Sequence, residues 1–504
     1  MGQLREIEKY GMIEIEIEGA KTEELVDGTA RFKHENKCIV VDAFRKSEGK
    51  YAVRFMPEEE GEWSYSVEVA GSKSEGSFIC VPNTGNNHGR VQTTGYAFQY
   101  EDGTRYIPIG TTCYAWIHQT EELQKETLET LEKTPFNKVR MFIFPKSMPY
   151  NNNDPECYPF EKKPDQTWNT GCIVPEFWDK LDRSILALQK MEIEADIILF
   201  HPYDRWGFSK LSREEDLAYV RYCIARYAAY RNVWWSLANE YEMLFKSSDE
   251  WDEIGEALAE EDPYGHQISI HNMISPYPKK EWMTHASIQS MAIDKVITWR
   301  KKYKFPVIID ECGYEGNLSM TWGSLTAFEM VHRFWWVTMR GGYCTHGETF
   351  DREDEVLWWS KGGKLHGESA ERIAFLKELL YGLPTSWTAL DHAELDPNKE
   401  HEDEEEDADN PFLKMLSTFP QEDRETFEIT TCPMKIKGEK YFLEYFGGIR
   451  PCYKDFVLRT DRDYRIEVID IWNMTRNVYK EHVSGMTRIS LPAKKGIAVL
   501  VTEE

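Results

Sequence analysis

Hydrophobic and polar positions alternate with a period of two over the first part of the chain. Isoleucine and glutamate alternate over residues 13–18, and similar runs return within 51–69. Such alternation is typical of strands with one buried face. It predicts a small antiparallel β-sandwich over residues 1–83, followed by a polar linker over 84–95.

From residue 96 the period changes. Short runs rich in β-branched and aromatic residues alternate with longer segments of helical period. The predicted strands are 106–112, 137–144, 194–200, 233–238, 267–271, 284–289, 306–310 and 342–346. Strand–helix repeats of this number over 96–385 indicate an α/β fold, a (β/α)₈ TIM barrel, with a doubly wound sheet as the alternative.

The last part of the chain returns to short strand patterns. Residues 411–504 predict a second all-β sandwich, so the chain is expected to have three domains. A connecting segment over 386–410 contains the acidic run EHEDEEEDADN at 400–410. We interpret this run as a solvated surface loop, with an interaction tail or a cation site as the alternative.

Charge and composition exclude several classes of partner. The 504 residues include 60 Lys and Arg against 87 Asp and Glu, which gives a net charge of −27. Nucleic acid and anionic membrane surfaces are therefore not expected to bind. The acidic N-terminus lacks the pattern of a signal peptide, which predicts a cytoplasmic protein. The 10 cysteines form no CxxC pair and are expected to be reduced thiols.

Two carboxylates follow strands of the predicted barrel. Strand 233–238 is followed by Asn239 and Glu240, and strand 306–310 by Glu311. Catalytic groups of TIM barrels come from the carboxyl ends of the strands. A pair of carboxyl groups suits glycosidic bond cleavage, with retention at a separation of about 5–5.5 Å and inversion at about 6.5–9.5 Å.

Five sequence blocks resemble one family. They are FQYEDGTRYIPIGTTCYAW (98–116), NKVRMFIFP (137–145), LFHPYDRWGFS (199–209), WWSLANEYE (234–242) and PVIIDECGYEG (306–316). Together they resemble the apiosidase-like catalytic domain, a (β/α)₈ domain of glycoside hydrolases that β-sandwiches often flank. The strand ends also resemble those of the retaining glycosidases of clan A.

The resemblance implies roles for particular residues. It makes Glu240 the general acid/base and Glu311 the nucleophile, with Asn239 on the 2-hydroxyl of the sugar and Arg140 keeping Glu311 ionised. Trp206 is a candidate stacking platform for a sugar ring. The remaining candidates for substrate contacts at the strand ends are Tyr114, Trp116, His201, Asp204, His271, His285 and Glu348.

Metal and nucleotide chemistry are not indicated. The candidate metal ligands are His201, His271, His285, His346 and Glu348, but the sequence has no HExxH or other tight ligand spacing. It also has no GxGxxG or GxxxxGK[ST] motif. We therefore expect no cofactor.

The sequence thus predicts a retaining, exo-acting glycoside hydrolase for short oligosaccharides or glycosides. The alternatives are a catalytically idle carbohydrate-binding or scaffold protein on the same fold, an inverting hydrolase, or a transglycosylase. The sugar, its anomer and linkage, self-association into a homo-oligomer and the role of the two sandwiches stay open.

Overall fold

The structure is a computed structural model that describes residues 5–22, 24–389, 411–432 and 434–504. The predicted acidic loop at 400–410 lies outside the described residues. The chain divides into two compact units. One comprises Met1–Gln289 with His346–His366, and the other comprises Ser290–Thr345 with Gly367–Glu504.

The N-terminal segment forms one sheet of seven strands: Arg5–Glu8, Ile13–Glu18, Val26–His34, Lys37–Ser47, Lys50–Phe55, Gly61–Val69 and Ser72–Val81. The first and last of these pair in parallel, and the other neighbours are antiparallel. The strands of Phe32 and Phe55 are separated by one other strand, yet the two rings stack 4.0 Å apart. This stacking shows that the sheet curls. The predicted sandwich is therefore a single curled sheet around an aromatic core.

A small sheet precedes the barrel. Its strands are Val91–Thr94, Ala97–Tyr100 and Arg105–Tyr106, and neighbouring strands are antiparallel. Part of the stretch predicted as a linker is therefore a strand. Gln267 fixes this sheet, because its side-chain amide donates to the carbonyl of Val91 at 3.0 Å.

The central sheet has eight strands, and all the predicted strands are present. We label them β1 (Ile109–Thr112), β2 (Lys138–Phe142), β3 (Glu194–Phe200), β4 (Val233–Ala238), β5 (Ile268–Ser269), β6 (Ala286–Gln289), β7 (Val307–Glu311) and β8 (Tyr343–His346). Their order is β5-β4-β3-β2-β1-β8-β7-β6. A parallel bridge between His271 and Ser287 joins the end of β5 to β6, which closes the sheet as in a TIM barrel.

Helices follow most barrel strands. They are Glu121–Leu131, Pro175–Lys190, Arg213–Tyr227, Ser248–Glu261, Val296–Tyr303, Ala327–Met339, Trp358–Lys361 and Ser369–Tyr381. A capping box formed by Ser212 and Glu215 starts the third of them. A hairpin of Phe160–Lys162 and Trp168–Ile173 lies between β2 and the second helix. The short strands Glu315–Gly316 and Glu348–Thr349 follow β7 and β8.

No helix lies between β5 and β6, although the repeat pattern predicted one there. The segment instead packs along helix Ser248–Glu261, where Trp282 donates to Asp252 at 3.2 Å. Gly255 permits this approach, since a Cβ at that position would lie 2.4 Å from the indole of Trp282. The segment between β5 and β6 is thus held by side-chain packing on the neighbouring helix and forms no helix itself.

The C-terminal segment begins with helices Pro411–Ser417 and Gln421–Thr431. One sheet contains Thr388–Ala389, Lys435–Lys437, Tyr441–Tyr445, Tyr464–Asp470, Thr475–Val483 and Ile497–Glu503, and a second pairs Tyr453–Val457 with Met486–Ser490. Their shared core is Phe446, Phe456, Leu458, Ile466, Ile489, Leu491, Ile497, Val499 and Val501. No helix in the described part of the chain is long and apolar enough to cross a membrane.

A buried charge network ties the N-terminal sheet to two barrel helices. Arg226 is fully buried and donates to both carboxylate oxygens of Asp182, at 2.9 and 2.8 Å. Arg54 of the sheet donates to the same carboxylate at 3.2 Å and to the carbonyl of Arg226 at 2.8 Å. Burial alone would raise the pKa of Asp182, but these two guanidinium groups lower it.

Replacing the shared carboxylate is expected to destabilise the fold. Asp182→Asn removes the carboxylate that the two buried guanidinium groups share and leaves Arg54 paired with Glu14 and Arg226 paired with Asp179. We therefore expect the free energy of unfolding to fall by about 3 kcal/mol at neutral pH, the lower end of the range for breaking a buried ion pair. Urea denaturation followed by tryptophan fluorescence measures the change. The control is Glu48→Gln, which removes an exposed ion pair with Lys21 and should change stability by less than about 1 kcal/mol. Equal effects of both variants would contradict the interpretation.

Candidate active site

The residues that follow β4 form a tight, buried turn. Asn239 and Glu240 are both buried, and Glu240 has a φ of +51°, in the left-handed region that non-glycine residues rarely occupy. Hydrogen bonds hold the turn from both sides: Tyr241 N donates to the carbonyl of His271 at 3.0 Å, and Met243 N donates to that of Glu240 at 2.9 Å. Such strained positions are often found at functional sites.

The amide of Asn239 has a fixed orientation. Its Oδ1 accepts hydrogen bonds from the Tyr114 hydroxyl at 3.3 Å and from Nη2 of Arg140 at 3.4 Å. Its Nδ2 is buried and has no hydrogen-bond partner among the described residues. The amide group therefore offers two N–H donors to a ligand.

Arg140 organises this end of the barrel. Its guanidinium is fully buried, with Nη1 donating to the Tyr114 hydroxyl at 3.2 Å and Nε lying 3.5 Å from Oδ2 of Asp196. Lys138 donates to the same carboxylate oxygen at 2.7 Å. The contacts of Arg140 with Tyr114 and Asp196 were not evident from the sequence. The predicted effect of Arg140 on Glu311 stays a prediction.

Tyr203 contacts Glu240, Lys146 lies over the ring of Tyr203, and sequence reasoning missed both residues. The hydroxyl of Tyr203 donates to Oε2 of Glu240. Lys146 is buried, and its Nζ lies 3.7 Å from the ring centroid of Trp359 and 5.5 Å from that of Tyr203. Both follow barrel strands directly, in the loops after β2 and β3, and that position is the signal that could have identified them.

His201, predicted to bind substrate, is held inside the protein. Its ring stacks on Phe142 at 4.1 Å, and Nε2 lies 3.0 Å from the carbonyl oxygen of Phe144. Burial lowers its pKa to about 4 although the Phe144 carbonyl favours the charged form. The imidazole is therefore neutral at pH 7, with the proton on Nε2. Its Nδ1 is buried and has no hydrogen-bond partner among the described residues.

The loop after β3 uses Asp204 for its own structure. This carboxylate accepts hydrogen bonds from the backbone N–H groups of Trp206, Gly207 and Ser209, at 2.8, 3.0 and 2.7 Å. Asp204 therefore orders the loop, and its predicted contact with substrate stays a prediction. Trp206 is half-buried and donates through Nε1 to Asp154 at 2.9 Å. Its role as a stacking platform stays a prediction.

The two candidates after β1 are both buried. The ring of Tyr114 stacks on Phe142 at 4.4 Å while its hydroxyl reaches Asn239. Trp116 is fully buried, and its indole N–H has no hydrogen-bond partner within the described ranges. The structure thus brings Tyr114 into the group around Asn239.

The candidates from the later strands have different surroundings. His271 lies between Ser287 Oγ at 2.9 Å and Gln289 Oε1 at 3.2 Å. His285, in contrast, precedes β6 and packs against the rings of Phe98 and Trp234. It lies at the amino end of its strand, which corrects its predicted position at the barrel mouth. The error is one of strand boundary, because His285 stands before β6.

Glu311 is the last residue of β7 and is buried. Its carbonyl accepts a hydrogen bond from Ser290 N at 2.9 Å. Its neighbour Asp310 accepts one from the hydroxyl of Thr345 at 2.8 Å. Adjacent strand residues point to opposite faces, so the two carboxylates do not share an environment.

Each of the candidate metal ligands contacts a protein group. His201 meets the Phe144 carbonyl, His271 meets Ser287, His285 meets Thr284, His346 meets Thr111, and Glu348 accepts from His366 N. Within either unit taken alone, the described residues include no group of three His, Cys, Asp or Glu side chains placed to hold an ion.

Comparison with protein families identifies the class. Residues 92–388 match the family described as apiosidase-like, catalytic domain. The chain belongs to this family, as the sequence blocks indicated. Two flanking stretches match domains of unknown function, DUF5060 over 6–70 and DUF5605 over 431–502.

Solved structures agree with this assignment. A crystal structure from Bacteroides vulgatus ATCC 8482, named as a candidate glycoside hydrolase, is 30% identical, covers 99% of this chain and 100% of its own, and has a TM-score of 0.87. A glycoside hydrolase family 5 structure from the same organism is 14% identical, covers 83% of this chain and 93% of its own, and has a TM-score of 0.60, which shows the fold alone. A search of curated proteins found no match.

The buried state of His201 predicts its titration. We expect a pKa of about 4 in the folded protein, against about 6.5 for an exposed histidine. Protonation of His201 therefore opposes folding. The stability that the folded protein gains from holding this imidazole neutral is fully present above pH 6.5 and is lost as the pH falls towards 4. Histidine NMR against pH, with the signal assigned from His201→Gln, measures the value. A folded-state pKa near 6.5 would contradict the described burial.

Proposed function

We propose that this protein is a retaining glycoside hydrolase, with Glu240 as general acid/base and Glu311 as nucleophile. The observation that carries the proposal is the buried carboxylate of Glu240 at the end of a barrel strand, held by the hydroxyl of Tyr203. A carboxyl group fixed in this way is suited to repeated proton transfer. Glu311 occupies the corresponding end of β7.

The proposed reaction has two steps. Glu311 attacks the anomeric carbon while Glu240 gives its proton to the leaving oxygen, and a glycosyl-enzyme forms. Water then attacks the same carbon, gives its proton to Glu240 and releases Glu311. Two displacements at one carbon retain the configuration of the sugar.

Asn239 is proposed to bind the 2-hydroxyl of the sugar. Its orientation supports this role, because Tyr114 and Arg140 occupy Oδ1 and leave the buried N–H donors of Nδ2. A hydrogen bond to the 2-hydroxyl that strengthens in the transition state lowers the barrier. The relative at 30% identity, itself named as a candidate glycoside hydrolase, supports the reaction class.

We further propose that the substrate is a short oligosaccharide or glycoside cut from one end. Its test is the digestion of a panel of plant-derived oligosaccharides and aryl glycosides. Single sugars released from the start support exo action. Early products of mixed length would support internal cleavage instead.

The carboxylate variants test the mechanism with the same panel. We expect Glu240→Gln to lower turnover by about 10²- to 10⁴-fold on unactivated substrates, the usual contribution of general acid–base catalysis. Glu311→Gln should abolish turnover, because no glycosyl-enzyme can form. Proton NMR should show that the wild-type protein first releases the retained anomer.

The control for these variants is Glu253→Gln, which changes an exposed carboxylate that pairs with Arg213. It should turn over substrate at the wild-type rate. Inversion of the anomer would contradict the role of Glu311. Binding of the sugars without any turnover would favour the idle carbohydrate-binding protein.

A further inference from the structure

Tyr203 and Glu240 come from different barrel strands and meet through one hydrogen bond. The phenol hydroxyl donates to Oε2 and fixes the rotation of the carboxylate. A donor on one oxygen stabilises the ionised carboxylate.

Lys146 lies over the ring of Tyr203 from the neighbouring loop. Its Nζ is 5.5 Å from the centroid of that ring, 5.0 Å from that of Tyr114 and 3.7 Å from that of Trp359. A cation over the face of a phenol is attracted by the ring. It also withdraws electron density, so the hydroxyl becomes a stronger donor to its acceptor.

The backbone holds this pair in place. Ser147 N donates to the carbonyl of Tyr203 at 2.7 Å, which joins the two loops directly beside the pair. The side chain of Asn151 donates to the carbonyl of Lys146 at 2.8 Å. Tyr114 N donates to the carbonyl of Trp359 at 3.0 Å, which fixes another ring around the ammonium group.

Packing alone does not account for the lysine. Lys146 is 1% exposed, and placing an ammonium group among aromatic rings removes most of its hydration. A methionine would fill the same volume without that cost. The charge is therefore expected to serve the neighbouring groups.

We propose that Lys146 and Tyr203 are positioning residues that set the orientation and charge of Glu240 through the Tyr203 hydroxyl. This inference rests on the proposed function. In the first step Oε1–H of Glu240 gives its proton to the leaving oxygen as the glycosidic bond breaks. The carboxylate that forms is held at Oε2 by Tyr203, and Oε1 takes a proton from the attacking water in the second step.

The dependence on leaving group tests the proposal. Tyr203→Phe should lower kcat/KM by about 10- to 100-fold on a phenyl glycoside of the sugar that the enzyme releases, which is the range for a hydrogen bond to a charged group. On the 2,4-dinitrophenyl glycoside, whose departure needs no acid, the loss in kcat/KM should stay below about 3-fold. Lys146→Met should give the same pattern with a smaller loss.

Two control variants are measured on the same pair of glycosides. Glu240→Gln should show the largest dependence on leaving group. Tyr219→Phe removes another buried hydroxyl, one that donates to the carbonyl of Leu199 at 3.2 Å, and should match the wild type. Equal losses on both glycosides for Tyr203→Phe would overturn the proposal, because a purely structural defect acts on both alike.

An NMR measurement separates this inference from the proposed activity. In protein labelled with [¹³Cζ]tyrosine, the Tyr203 signal, assigned from Tyr203→Phe, should shift in Glu240→Gln and in Lys146→Met but not in Tyr219→Phe. These shifts in a protein that cleaves no glycoside would support the coupled pair and contradict the hydrolase. If the protein cleaves glycosides and its Tyr203 signal is unchanged in both variants, the coupling of Lys146, Tyr203 and Glu240 is overturned while the proposed activity stands.

Discussion

The buried guanidinium of Arg140 is the group around which one side of the barrel mouth is arranged. A fully buried positive charge needs an anion and hydrogen-bond acceptors, and Asp196, Tyr114 and Asn239 supply them. Because the amide oxygen of Asn239 is used for this purpose, its N–H donors are left for a ligand. The compensation of the Arg140 charge inside the barrel thus determines which hydrogen-bonding groups the end of β4 presents to a ligand.

A second cation shares part of this arrangement. Tyr114 accepts from Arg140 through its hydroxyl, and its ring also borders the ammonium group of Lys146. The same lysine lies over Tyr203, which holds Glu240. Asn239 and Glu240 are neighbours in sequence, yet each accepts a hydrogen bond from a different tyrosine, and a different cation lies beside each tyrosine.

The N-terminal sheet contributes through the barrel helices rather than through the strand ends. Arg54 reaches Asp182 and the carbonyl of Arg226, which lie on two of those helices, and Tyr222 donates to the carbonyl of Arg45 at 3.0 Å. The side chains of Arg45 and Arg54 are nearly fully buried. The sheet therefore stabilises the helices that surround β2 to β4.

Sequence patterns predicted the barrel strands and the position of Glu240, because periodicity and strand ends are local properties. They did not predict the contacts of Lys146 and Tyr203, which depend on how two loops meet. Nor did they predict the hydrogen bonds of Asp204 within its own loop, since a carboxylate that caps a loop has the same sequence pattern as one that binds a ligand. The missing helix before β6 depends on the fit of Trp282 against Gly255, which is a tertiary contact.

The account depends most on covalent catalysis by Glu311. The direct measurement is intact-mass and peptide analysis of the protein after incubation with the 2,4-dinitrophenyl 2-deoxy-2-fluoro glycoside of a sugar that it releases. We expect one sugar per chain, attached to the peptide that contains Glu311. A label on another residue, or no label under conditions where the parent glycoside is cleaved, would contradict the account.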